Sequence, residues 1–291
     1  MNFGFIIGTG RCGTTLLAKM LNAHSEICVP HELQILMEYS GNGGRLKEVF
    51  ESGDHIRYEA EDYIKLIQER CPYRFQEYFD YQDFFRKRAY PEKNLKALIN
   101  DLFTAIAINQ GKSYFIEQTP WYGQDLQTLE LLFPKAKYIH LVRDGRDVAL
   151  SFARTPWWHK DLEQNLRRWT KETKKIIEDS KTLDQKNIIL IKYEDLVVNP
   201  ERTLTQVCNF LNVPYCKELL NPKKYISYNK YFIGNAEKIN SKAFRKWSIF
   251  TCKKKATFTE SVEAWKRFAG DDFKFIDKDS RETLCDLGYG A

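Results

Sequence analysis

No apolar run in this chain approaches the roughly 18 residues that a membrane-spanning helix needs. No basic stretch followed by an apolar core precedes Phe3, where strand-type residues already begin. Both absences predict a cytoplasmic chain with no leader and no membrane span. Cysteine is present but unorganised. The seven residues Cys12, Cys28, Cys71, Cys208, Cys216, Cys252 and Cys285 are odd in number and scattered, and no C-x-x-C occurs. That pattern excludes a disulfide framework or a zinc ribbon and predicts reduced thiols and no metal site. Charge of one sign is not in large excess. A net charge of +6 suits anionic ligands but is too mild to argue for nucleic acid. Internal repeats and low-complexity tracts are lacking too, which leaves an ordinary folded chain of 291 residues with a hydrophobic fraction of 43%, enough for a sizeable core.

One further absence is local. Phe3 to Thr15 reads FGFIIGTGRCGTT: an apolar strand-type run, three glycines, then a helical pattern with Leu16, Leu17, Met20 and Leu21. Strand, glycine loop and helix form the layout that cradles phosphate on backbone N–H groups at a helix start. Gly8 and Gly13 have the G-x-x-x-x-G spacing of a Walker loop, but Thr14 stands where the Walker lysine belongs, followed by Thr15. Basic charge sits inside the loop instead, at Arg11. A nucleoside triphosphatase needs that lysine to reach the β- and γ-phosphates. The loop is therefore expected to hold a different phosphorylated group, on Gly10, Arg11, Cys12, Gly13, Thr14 and Thr15. Cys12 is either a reactive thiol or a small residue that fits the loop.

Further along, short apolar runs alternate with helical patterns. Ile27–Val29, Ser113–Ile116, Lys137–Val142 and Ile188–Ile191 read as strands of the buried type. Helical patterns lie between them, including Asp161–Ser180 and a helix capped by Asn199-Pro200. This alternation predicts a three-layer α/β/α fold around a central parallel sheet, as one domain over 1–291. Residues 41–112 read as a helical insertion rich in aromatics, ending in a helix with Leu95, Leu98, Ile99, Leu102, Phe103 and Ile106 on one face. These aromatics either line an acceptor pocket or pack as core. The C-terminal segment 241–291 opens on six basic residues, among them Lys246. It either folds over an anion or forms a solvated basic face.

Open α/β sheets bind ligands just past the C-terminal ends of their strands. Pro30-His31-Glu32, Glu117-Gln118-Thr119-Pro120, Arg143-Asp144-Gly145-Arg146-Asp147 and Lys192-Tyr193-Glu194 stand there. His31 and Glu32 are thus candidate bases, each also readable as an exposed loop residue. Tyr193 is a candidate ligand contact or a packing residue. His140, in mid-strand, reads as a satisfied core histidine.

Three stretches in order carry a resemblance. Gly8–Thr15 is similar to the 5′-phosphosulfate loop of sulfotransferases that use 3′-phosphoadenylyl sulfate (PAPS). Leu141–Ser151, with Arg143 and Ser151 eight positions apart, resembles their 3′-phosphate motif. Lys192–Leu196 followed by Asn199-Pro200 looks like a third stretch usual in that family. The resemblance implies a P-loop-type fold and in-line transfer of a sulfuryl group to an acceptor hydroxyl, with the nucleotide held by Arg143, Ser151, Tyr193 and Lys246. It places Arg11 at the bridging oxygen and Glu32, 21 positions later, at the catalytic glutamate of protein-tyrosine sulfotransferases, with His31 as competitor. Sulfuryl carries less charge than phosphoryl, so hydrogen-bond donors suffice and no metal is implied. The chain departs from the pattern at Gln118, where similar enzymes often carry lysine. A P-loop nucleotide kinase and a non-catalytic PAPS-binding protein remain the alternatives.

Overall fold

The computed structural model describes residues 1–34, 36, 80–87, 95–156, 158–221, 259–269, 271–273 and 276–290. Five parallel strands form one sheet: β1 (Asn2–Ile7), β2 (Ile27–Cys28), β3 (Tyr114–Glu117), β4 (Lys137–Val142) and β5 (Ile188–Lys192). Their order is β2-β3-β1-β4-β5, so the first strand lies at the centre. Phe5 lies opposite Glu117 on one side, and Ile7 opposite His140 on the other. The chain runs from β1 to β3 in one direction and to β4 in the other. The C-terminal end of β1 is thus a topological switch point, where open sheets leave a crevice for ligands.

Alternate residues of each strand enter different layers, because side chains alternate across a pleated sheet. Phe5, Ile7, Phe115 and Tyr138 pack with α3 (Leu95–Asn109), α4 (Leu126–Leu132) and Ile176 of α6 (Leu162–Ser180). Ile6, Ile116, Ile139 and Leu141 pack on the opposite face with α1 (Thr14–Asn22) and α8 (Pro200–Leu211). This is the expected three-layer α/β/α arrangement. A third cluster joins α5 (Gly145–Ala153) and α6 to α9 (Ala264–Phe268) and α10 (Lys278–Asp286) through Leu166, Trp169, Phe273 and Leu284. The remaining α-helices among the described residues are α2 (Tyr81–Lys87) and α7 (Tyr193–Val198).

The helix starts follow local chemistry. The side chains of Asp125, Asp144, Asp161 and Asp277 accept backbone N–H bonds at the starts of α4, α5, α6 and α10. Asn199 holds the cap position of α8 with Pro200 after it, but its side chain makes no capping bond. Its carbonyl instead accepts both the N–H and the hydroxyl of Thr203, each at 3.0 Å.

Two expectations about the core need correction or restriction. His140 is a core residue, but it is not satisfied: among the described residues its Nε2 is buried without a hydrogen-bond partner. Burial pushes it down to about 4, so the ring is neutral. Of the expected insertion, α3 buries Ile99, Leu102, Phe103 and Ile106 against the sheet, and Phe84 packs on the same core. Most of its other aromatics lie outside the described residues, as do Lys246 and the basic run.

Candidate active site

Gly8 to Gly13 link β1 to α1 with the backbone turned sharply. Arg11 is left-handed at φ 68° and Gly13 at φ 102°. The cap position of α1 is held by Gly13, which has no side chain to accept a bond, so among the described residues no cap side chain takes the N–H groups of its first turn. The loop also has to fit against aromatic rings. A Cβ on Gly13 would lie 2.3 Å from Cδ2 of Tyr193, and one on Gly10 would lie 2.8 Å from Cζ of Phe152. Cys12 is the small buried residue of the two readings. Its thiol donates to the Thr9 carbonyl at 2.7 Å, and burial pushes it up to about 12, so it is not a thiolate at neutral pH. Thr14 is buried and Thr15 exposed.

Arg143 leaves the end of β4, next to β1. Its Nη1 donates to the Arg11 carbonyl at 3.2 Å and its Nη2 to the Ser261 carbonyl at 2.6 Å. Asp147, one turn later, lies 3.6 Å from Nη2. The guanidinium sits 4.7 Å above the Tyr193 ring. Tyr193 is therefore wedged between Gly13 and Arg143, with 3% of its surface exposed. Among the described residues Arg143 Nε is buried with no hydrogen-bond partner. A strong donor in that state fits an anionic ligand atom, because an unsatisfied charged donor is costly.

The sequence implied two separated anion sites. The structure brings the two stretches into contact: Arg11 Nε donates to Ser151 Oγ at 3.1 Å, across from the glycine loop to the first helix after β4. Burial and the nearby Arg143 push the Arg11 guanidinium down to about 10, partly offset by the Glu32 carboxylate. Arg11 thus stays cationic at neutral pH and lies within electrostatic reach of both Arg143 and Glu32. Glu32 is half-buried and accepts the Gln34 side-chain N–H at 3.2 Å, while His31 beside it is 7% exposed. The structure therefore brings Gly10–Thr14, Arg11, Glu32, Arg143, Ser151 and Tyr193 together at the β1–β4 end of the sheet.

The chain has counterparts among known proteins. Residues 5–217 match the sequence model described as Sulfotransferase family. The chain belongs to that sulfotransferase family. Protein-tyrosine sulfotransferase A of Caenorhabditis elegans is 22% identical over 260 residues, covering 84% of this chain and 60% of the relative. Protein-tyrosine sulfotransferase of Drosophila melanogaster is 25% identical over 235 residues, covering 77% of this chain and 40% of the relative. The chain thus spans less than two thirds of the length of these two relatives. The solved sulfotransferase domain from the curacin biosynthetic pathway shares its fold, with TM-score 0.68, 23% identity and 99% and 98% of the two chains covered. The sulfotransferase domain from the Synechococcus PCC 7002 olefin synthase does so with TM-score 0.68 and 22% identity. No helix among the described residues of the chain is long and apolar enough to cross a membrane.

Several residues that organise the site were not singled out from the sequence. Glu194 accepts the Asp144 N–H at 3.1 Å, and the Tyr289 hydroxyl donates to the same carboxylate at 3.0 Å. Arg146 pairs with Asp144 at 2.8 Å and donates to the Tyr289 carbonyl at 2.7 Å. The C-terminal end of the chain thereby latches the turn that carries Arg143. Glu117, at the end of β3, is fully buried, and burial pushes it up to about 7 against three donors that pull it down. A carboxylate closing an otherwise apolar strand was the available signal for Glu117. Tyr289, 95 positions from Glu194, offered none.

Proposed function

We propose that this chain transfers a sulfuryl group from PAPS to an acceptor hydroxyl, in line, with Glu32 as general base. The observation that carries this reading is the convergence of Arg11, Arg143 and Ser151 with an uncapped helix start at the switch point of the sheet. These are donors for two anionic ends of one ligand, and Arg143 Nε is a buried donor awaiting an acceptor. PAPS, when bound, supplies an activated sulfuryl group and a phosphate that leaves.

The protein's own residues divide the work. The α1 amides, Thr14 and Thr15 hold the 5′ end. Arg143 and Ser151 hold the 3′-phosphate, with Tyr193 as the floor beneath Arg143. Arg11 stabilises charge where the bridging oxygen departs. Glu32 takes the acceptor proton as general base, while the neighbouring His31 is buried. Gln118 adds no charge where similar enzymes often carry lysine, so the cationic role rests on Arg11 and Arg143. Lys246 is proposed to complete the nucleotide site by resemblance. No metal is required by this reading. The acceptor is a hydroxyl-bearing glycan, lipid, natural product or tyrosine.

Calorimetric titration with adenosine 3′,5′-bisphosphate tests the nucleotide site, with AMP and ATP·Mg²⁺ as controls. The bisphosphate alone should bind tightly, and Arg143→Ala should weaken it about 10- to 100-fold, the worth of a charged hydrogen bond, with little effect on AMP. Equal weakening of both ligands would withdraw the 3′-phosphate role. Binding of ATP·Mg²⁺ without the bisphosphate would favour a nucleotide kinase.

A further inference from the structure

The loop that carries Glu32 follows β2, a strand of only two residues, so strand pairing cannot fix its path. What fixes it comes from the exit of β3. Glu117 Oε1 accepts the Leu33 N–H at 2.8 Å and the Thr119 hydroxyl at 2.9 Å. Its Oε2 accepts the Thr119 N–H at 2.6 Å. The Thr119 oxygen in turn accepts the Gln34 N–H at 3.3 Å, and the Tyr122 hydroxyl accepts the Leu36 N–H at 2.9 Å. Backbone donors at three positions just after Glu32 are thus taken by side chains from 117–122. Gln34, left-handed at φ 57°, then turns its side chain back to donate to Glu32 Oε2 at 3.2 Å.

Hydrogen bonds therefore link a buried carboxylate, through Thr119 and then the backbone and side chain of Gln34, to the Glu32 carboxylate. Glu117 is fully buried and its acceptors are used within the protein, so it has no part in binding substrate. We propose that Glu117 is a positioning residue for transfer, setting through Thr119 and Leu33 the direction in which Glu32 faces the reacting centre. This rests on the reading of Glu32 as base. The three observed donors, the Leu33 N–H and the Thr119 N–H and hydroxyl, call for acceptors at both oxygens of the side chain. An amide in its place would turn a donor toward one of the N–H groups.

The test compares Glu117→Gln, Thr119→Val, Thr119→Ser and Glu32→Ala in the full chain. Bisphosphate release from PAPS is followed with 2-naphthol, a tyrosine peptide and an oligosaccharide as acceptors, alongside bisphosphate affinity and amide exchange. Misplacing a catalytic group by about 1 Å costs up to about 100-fold, so kcat should fall by about that factor in Glu117→Gln. Thr119→Val should lose about 10-fold by the same argument, while Thr119→Ser, which keeps the hydroxyl, should match the wild type. Bisphosphate affinity should not change, and exchange at Leu33 and Gln34 should quicken while β1 and β4 stay protected. Unchanged exchange at these amides, retained kcat in both Glu117→Gln and Thr119→Val, or a parallel loss of nucleotide affinity would overturn the proposal. If Glu117→Gln does not fold, the Thr119 pair carries the comparison. Active Glu32→Ala would remove the base itself, and this proposal with it. Inactive Glu32→Ala beside retained kcat in both Glu117→Gln and Thr119→Val would remove this proposal alone.

Discussion

Glu32 and Glu117 are the same side chain at the ends of strands on one edge of the sheet, and their surroundings divide their roles. Glu32 is half-buried within electrostatic reach of the Arg11 guanidinium, whereas Glu117 is enclosed and committed to its own protein's donors. Removing the first should abolish chemistry and spare binding. Glu32→Ala is expected to lose about 10²- to 10⁴-fold in kcat, the usual worth of a positioned base, with bisphosphate affinity intact by calorimetry. Gly13 shows the opposite kind of sensitivity, because it has no room for any side chain. Gly13→Ala would force a methyl group into the Tyr193 ring at a left-handed φ. It should cost about 1–3 kcal/mol of stability, read from thermal unfolding, together with nucleotide binding. The Gly13 spacing was legible in the sequence because loop and helix are contiguous. Its contact with Tyr193 was not, since only the folded sheet brings together residues 180 positions apart.

At the scale of elements, β4 carries a titration that it makes unfavourable. Unfolded His140 has a value of about 6.5, whereas in the folded chain burial holds it at about 4. The folded state refuses the proton that the unfolded state accepts. The stability this contributes is complete above pH 6.5 and is lost as pH falls toward 4, by about 1.4 kcal/mol per pH unit and about 3 kcal/mol in all. Denaturant unfolding across that range should show this slope, and His140→Leu should flatten it. The strand itself was legible from its apolar run, but periodicity cannot say whether a buried imidazole finds a partner. The same limit applies to the cap of α8, where position was readable and the hydrogen bond was not. The latch between the segment after α10 and the start of α7 is a second element-level device. Tyr289→Phe deletes the bond to Glu194 that helps hold Asp144. A neutral-to-charged hydrogen bond is worth about 1.5–3 kcal/mol, so bisphosphate affinity should drop several-fold if the turn carrying Arg143 loosens. An unchanged affinity would limit Tyr289 to structural support.

For the whole molecule, the layered fold was readable because strands buried on both faces announce themselves as continuous apolar runs between amphipathic helices. Strand order was not readable, because any parallel arrangement with right-handed crossovers satisfies the same pattern. That order has a consequence in time. β1 pairs with β3 and β4, and β2 pairs with β3. Among the described residues, neither of the first two strands has a neighbour until Tyr114 exists. Chains are synthesised at about 5–20 residues per second, so β1 waits roughly 5–20 s between its own emergence and that of its first partner. The phosphate loop, anchored on that strand, cannot take shape earlier. A fragment ending before Tyr114 should therefore unfold without cooperativity, and during synthesis the nascent N-terminal third is the part that most needs a chaperone's shelter.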